Sequence, residues 1–330
     1  MRSFAALRTT GRRTLLVGAI AAPFVARAET SWPSRPVRIV VPFAAGGAID
    51  ATAREIGDAL ASRLGQQVLV DAKPGAGTIA GSELVAKAAP DGYTFLLTTN
   101  STHTNTPALF ANLPFNPAKD LIPVSLVSLE SVLIVAKGDA SFRDLRSMAS
   151  WAKGLGRPAR YGSWGVGSPG HLYGLMLEKA LGGYYNHVPY RNEAAALQDV
   201  VKGTLDLTWT SPLGAKPHVA DGRIKPIAAA GAKRSAAVPD VSTFAEQLVP
   251  GFDLSLFVAV YAPVGTPPEI VDRLQGEIRL ALATPQASEK LIAHGQTPVG
   301  SSAKELATIL QRETPLWAEL IKQSGAKAEQ

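Results

Sequence analysis

The chain is predicted to be α/β, built as two α/β domains that face each other across a cleft and are joined by two crossing segments. Three observations lead there. Apolar strand-like runs alternate with amphipathic helical segments along most of the 330 residues, the pattern of a mostly parallel sheet. A strand, a loop of small residues and a helix occur together twice, over 37–64 and 159–181. Finally, Leu121 to Lys137 and Leu254 to Tyr261 are almost continuously strand-like, as segments passing between domains would be. The expected division is 29–128 plus 254–330 for the first domain and 129–253 for the second.

Val37, Ile39, Val40 and Val41 form a short apolar run of the kind buried on both faces of a sheet, and Pro42 ends it. Ile49, Ala53, Ile56, Leu60 and Leu64 then recur at helical spacing, while Arg54, Asp58 and Arg63 face water. Between strand and helix lies Phe43-Ala44-Ala45-Gly46-Gly47. Its glycines either simply turn the chain or let backbone N–H groups approach an anion, which the helix start favours by about half a positive charge. Val68 to Val70 is a second strand, Thr78 to Ala88 a helix, and Thr94 to Thr98 a third strand. That strand runs into Thr99, Asn100, Ser101, Thr102, His103, Thr104 and Asn105. Such residues cap helices and turns, but here they also follow a strand end, the side of an open α/β sheet that meets ligands.

The second series begins with a helix over Leu145 to Leu155 and a strand over Ala159 to Gly162. Ser163-Trp164-Gly165-Val166-Gly167-Ser168-Pro169-Gly170 follows, ahead of a helix from His171 to Leu181. Tyr185 to Pro189 is a strand, Glu193 to Lys202 a helix, Leu205 to Trp209 a strand, Ala215 to Ala220 a short helix and Ile224 to Ala229 a strand. After Leu254 to Tyr261, three helical segments return to cover the first domain. Thr266 is expected to cap the first of them with Glu269 completing a capping box, and Ile270, Leu274, Ile278 and the Leu280/Leu282 pair to face the core.

Met1 to Ala28 reads as an export signal: a basic start, an apolar run from Leu15 to Val25 and an Ala26-Arg27-Ala28 cleavage site. Arg12-Arg13 fits a twin-arginine signal as well as a Sec signal. The segment holds five of the 33 basic residues and none of the 27 acidic ones. The mature chain therefore carries 28 against 27, and the +6 of the whole sequence is no argument for a nucleic-acid partner. Cysteine is absent, which excludes disulfides, thiolate metal sites, a cysteine nucleophile and a lipidated N-terminal cysteine. No later stretch is apolar and long enough for stable membrane insertion.

The motif inventory favours binding over catalysis. Gly165-Val166-Gly167-Ser168-Pro169-Gly170 satisfies G-x-G-x-x-G, but no acidic residue ends the next strand to hold a ribose; Glu193 lies beyond it. Ser168 lacks the G-x-S-x-G frame of a serine hydrolase. The five histidines show no helical metal spacing, so neither a metal nor a cofactor is expected. His103 and His171 lie near strand ends, to donate to a ligand or to serve structure. Asp50 either pairs with Arg54 or accepts from a ligand hydroxyl, amide or ammonium. Trp164 and Trp209 either wall the cleft or belong to the core.

Taken in order, these strings resemble the substrate-binding proteins of tripartite tricarboxylate transporters, the TctC or Bug-type family. The resemblance rests on Pro42 to Asp50, Pro74 to Gly77, Ala88 to Thr94, Gly162 to Ser168 with His171, Val188 to Tyr190, Pro239 to Glu246 and Ala262 to Pro267. It implies a two-domain periplasmic-binding-protein (venus-flytrap) fold in the periplasm, and the export signal with the missing cysteine makes that protein soluble, exported and non-lipidated. That protein captures a small organic solute, often a carboxylate, for membrane permease subunits. By position it places the ligand against Phe43 to Gly47, the Thr98 to Ser101 strand end and Ser163 to Ser168, with Asp50 at the ligand's variable end. The sequence departs from the family at Asn192, where glycine is common, and at Ala76-Gly77-Thr78. An enzyme or a ligand sensor using the same cleft are the rival readings.

Overall fold

The computed structural model describes residues 32–75, 78–231, 233–254 and 256–327. Met1 to Ala28, read above as an export signal, and the Ala76-Gly77 pair lie outside the described residues. In chain order the elements are β1 (Val37–Val41), α1 (Ala48–Leu64), β2 (Val68–Ala72), α2 (Ile79–Ala86), β3 (Thr94–Thr99), α3 (Thr106–Leu109), α4 (Pro117–Asp120) and β4 (Leu121–Glu130). Next come β5 (Val132–Lys137), α5 (Leu145–Gly154), β6 (Ala159–Ser163), α6 (Pro169–Leu181), β7 (Tyr185–Pro189), α7 (Glu193–Lys202), β8 (Leu207–Thr210), α8 (Pro212–Ala220) and β9 (Ile224–Ala230). The chain closes with β10 (Leu256–Pro263), α9 (Pro268–Leu282), α10 (Pro285–Ala293), β11 (Gln296–Pro298) and α11 (Ala303–Ser324).

These strands form two sheets, one of six in the order β11-β4-β10-β3-β1-β2 and one of five in the order β7-β6-β8-β5-β9. β1 runs parallel to β2 and β3, and β6 runs parallel to β7 and β8. Both faces of both sheets are covered, which is why the strands are nearly continuous apolar runs. In the first sheet Ile39, Phe95 and Leu97 face Ile56, Leu60, Leu274 and Ile278, while Val40, Leu96 and Phe257 face Val85 and Leu306. In the second, Ile134 and Ala136 share a core with Leu172, Tyr173 and Trp209, and Leu133 and Val135 pack against Leu197 and Val200. Only Ser131 separates β4 of the first sheet from β5 of the second.

Several local expectations are corrected. Thr266 does not cap α9: Pro267 takes that place with no side-chain bond, and the Thr266 hydroxyl donates back to the Pro263 carbonyl at 2.8 Å. The Pro267-Pro268 pair shifts the helix start by one residue, because Pro268 needs no N–H there. Leu280 is 47% exposed, so Leu282 alone of that pair joins the core. α8 begins at Pro212, earlier than its apolar pattern suggests, because the Ser211 hydroxyl accepts the Gly214 N–H and caps it. The last helix does not cover the first sheet alone. α11 buries Leu306 in the first sheet's core but Trp317 and Ile321 in the second's, with Pro315 inside the helix between them.

Candidate functional site

β1, β3, β4, β6 and β8 all end at one cavity of about 360 Å³ between the two sheets. Four helices begin there: Ala48 and Ile49 of α1, Pro169 of α6, Glu193 of α7 and Pro212 and Leu213 of α8 line it. Each helix start brings its first backbone N–H groups and about half a positive charge toward the space. A larger apolar groove of about 530 Å³, lined by Met176, Phe252, Leu254, Leu316 and Leu320, lies between α6 and α11. It has no helix start or strand end converging on it, so the smaller and more polar cavity is the candidate site.

The expected site residues divide into lining and framework. Phe43, Thr99, Asn100, Ser101 and Trp164 line the cavity. Ala44, Ala45, Gly46 and Gly47 form the exposed loop just ahead of Ala48. Asp50 is buried beneath that loop: its Oδ2 accepts the Gly46 N–H and the Arg54 Nε–H, both at 2.9 Å. The Arg54 guanidinium, with some help from the Gly46 amide, holds the Asp50 carboxyl below its usual range. Of the two roles open to Asp50, the geometry realises the Arg54 pairing.

The second loop has the same plan with other chemistry. Gly167, at φ +76°, donates its N–H to His171 Nδ1 at 3.0 Å. The His171 ring stacks on His187 with centroids 4.0 Å apart, and His187 Nε2 lies 2.6 Å from Ser163 Oγ. Burial lowers both rings' pKa, and repulsion from His171 adds to the shift of His187, which falls to about 4. Ser168 Oγ donates to the Gly165 carbonyl at 2.6 Å, closing the turn. A side chain at Gly170 would press on Ser163, Trp164 and Trp209, so the G-x-G-x-x-G spacing serves the turn and helix packing. His171 therefore shapes the loop and does not line the cavity.

Two expectations fail on burial. Trp209 does not wall the cleft; it is fully buried among Tyr173, Phe244 and Phe252, because its position on β8 points into the apolar layer. Thr98 is likewise buried, with its hydroxyl 2.8 Å from that of Thr102. Of the two roles open to His103, the structure realises the structural one: its buried ring stacks on Tyr261 at 4.3 Å, and burial drives its pKa down to about 4.

The motif reading did not assign Glu130, Ser131, Glu193, Ser211, His294 and Gln296, all of which line the cavity. Glu130 ends β4 opposite Leu256 of β10 and Gln296 of β11. Gln296 is buried, and its Oε1 accepts from Thr52 and Ser128, which turns its Nε2 toward Glu130 Oε1 at 3.4 Å. Glu193 Oε1 accepts from Thr210 Oγ1, the Ser211 N–H and Ser211 Oγ at 2.6 to 2.9 Å. One signal for Glu130 was legible, since it is the sole acidic residue between Leu121 and Lys137. Asn192, the departure from the family pattern, caps α7 by accepting the Ala195 N–H.

The TctC family, described as the tripartite tricarboxylate transporter family receptor, matches residues 52–326. The chain belongs to the TctC family. Among its relatives, the protein from the tcbD-tcbE intergenic region of Pseudomonas sp. strain P51 is 34% identical over 330 residues, 98% of each chain. MatC from Rhodopseudomonas palustris, solved with bound malate, is 32% identical with a TM-score of 0.69, covering 88% of this chain and 100% of its own. A second R. palustris protein, solved with adipate, is 31% identical with a TM-score of 0.73, covering 90% and 99%. TctC proteins are solute-binding receptors of the periplasmic-binding-protein fold, not enzymes. Among the described residues of this TctC receptor no helix is long and apolar enough to cross a membrane, and no three acidic or histidine side chains are grouped to hold a metal.

Proposed function

We propose that this TctC receptor works in the periplasm, where it captures a small organic carboxylate in the cavity between its sheets and delivers it to the permease subunits of a tripartite transporter. The observation that carries the reading is the convergence of the α1 and α6 starts on a polar cavity at strand carboxyl ends. Backbone donors there suit a carboxylate without a paired cation. Relatives solved with malate and adipate support the ligand class. Phe43, Thr99, Asn100, Ser101 and Trp164 contact the ligand; Asp50, Ser163, Gly165, Gly167, Ser168 and His171 hold the two loops in shape. The sheets and their helices move as two bodies that hinge at Ser131 and at the chain entering β10, and closure excludes water and strengthens the ligand's hydrogen bonds.

The experiment is thermal unfolding of mature protein, refolded to strip carried-over ligand, against mono-, di- and tricarboxylates, amino acids, amides and NAD(P). A ligand at a hundred times its Kd adds about 2.7 kcal/mol of stability. A shift confined to carboxylate-bearing compounds is the expected outcome; a shift with NAD(P) alone overturns the reading.

A further inference from the structure

Building on the carboxylate reading above, we propose that the ligand is zwitterionic, with its carboxylate at the loop side of the cavity and a cationic nitrogen held between Glu130 and Glu193. Two acidic side chains line this cavity and no lysine or arginine does, among the described residues. A second carboxylate of a dicarboxylate placed beside Glu130 and Glu193 would meet like charge.

The two carboxylates are placed to meet a donor from the ligand. Glu193 Oε1 already takes the donors of Thr210 and Ser211, including the Ser211 N–H beside the α8 start. That rigid hold orients the group, and Glu193 makes no ion pair with any described residue. Glu130 has a single long contact, from the Gln296 amide to Oε1, and its Oε2 has no partner among the described residues. Gln296 cannot turn away, since its own oxygen is fixed by Thr52 and Ser128. Phe43 and Trp164 add aromatic surface to the same cavity, which favours a cation over an anion. The starts of α1 and α6 remain for the ligand's carboxylate.

The titration of Glu130 agrees with this arrangement. Burial pushes its carboxyl up to about 7, opposed by the Gln296 contact and helped by a smaller repulsion from Glu193. A bound ammonium lowers that pKa and releases a proton; a bound dicarboxylate raises it and takes one up. Glu193 and His294 are the other titratable residues at the cavity.

The test compares isosteric pairs by calorimetry at pH 7 in buffers of different ionisation enthalpy. The pairs are succinate with 4-aminobutanoate, glutarate with 5-aminopentanoate, and adipate with 6-aminohexanoate; 1,5-diaminopentane is the control without a carboxylate. The expected result is that one aminoalkanoate binds roughly tenfold or more tightly than its dicarboxylate partner, with proton release. Glu130→Gln should remove most of that preference and reduce the release. Tighter dicarboxylate binding with proton uptake, and a ratio unmoved by Glu130→Gln, overturns the zwitterion proposal and leaves the carboxylate reading intact. Binding of the diamine alone overturns both, as does the absence of binding by all six acids.

Discussion

The two cavity loops share one design and differ in the atom that holds it. In each, a glycine in the left-handed region donates its N–H to a side chain four residues on: Gly46 to Asp50, Gly167 to His171. The first acceptor is a carboxylate kept ionised by Arg54; the second is a neutral imidazole stacked on another imidazole. The first loop is open to water and the second is packed against Leu109. One geometry has thus been reached with a permanent charge at one sheet and a titratable ring at the other. The second loop alone should respond to mild acid.

The largest test of this contrast is valine substitution. At Gly167 a side chain meets the left-handed backbone and Leu109 at 3.2 Å, so Gly167→Val should cost about 2–4 kcal/mol in denaturant unfolding. Gly46→Val meets the same backbone penalty without the crowding and should cost about 1–2 kcal/mol. Gly47 has an ordinary φ of −78°, with only the Ala44 carbonyl at 3.4 Å. Gly47→Val should leave stability within about 0.5 kcal/mol and lower ligand affinity instead; unchanged affinity would remove this loop from the site.

Deleting the acceptors comes next. His171→Ala strands a buried Gly167 N–H and should cost about 2–3 kcal/mol, whereas Asp50→Ala exposes Gly46 to water and should cost about 1 kcal/mol. Equal losses would mean that the loops are not differently buried.

Acid separates the loops more finely. Because the folded histidines have lowered pKa values, the unfolded chain takes up protons first, and stability falls as pH drops from about 6.5 toward 4. Glu130, raised to about 7, gives the opposite slope between pH 7 and 4.5, so the global curve blurs the two. Amide hydrogen exchange resolves them. Gly167 should lose protection across the histidine range, while Gly46 keeps whatever protection it has until Asp50 is protonated below its ordinary 3.8. The smallest effect is that of Arg54→Gln, which removes an exposed, solvent-screened partner and should barely change stability. It should also let Asp50 titrate closer to its usual range.

Local patterns carried the fold. Tyr185 to Pro189 and Glu193 to Lys202 lie where alternation and helical spacing place them, because strand and helix periods are properties of neighbours in the chain. The two loops were legible for the same reason: glycine, small residues and a helix start are contiguous. What the pattern could not supply was register and rotation. Glu130 meets Gln296 only because β11 pairs with β4, and Glu193 meets Ser211 only because α7 lies beside β8. Trp209 was ambiguous because the apolar layer it enters is built by Phe244 and Phe252, distant in sequence. Thr266 carried a sound capping signal that Pro267 and Pro268 displaced.

α11 is anchored in the first core by Leu306 and in the second by Trp317 and Ile321. Any opening of the cleft loads this helix like a leaf spring clamped at both ends. Pro315 has no N–H for the Gln311 carbonyl, so the rod is most compliant just before its second clamp. The elastic restoring force of the receptor would then be set at a proline on its back rather than at the crossing strands. Pro315→Ala should stiffen that spring and slow ligand exchange, although the residue lines no part of the cavity.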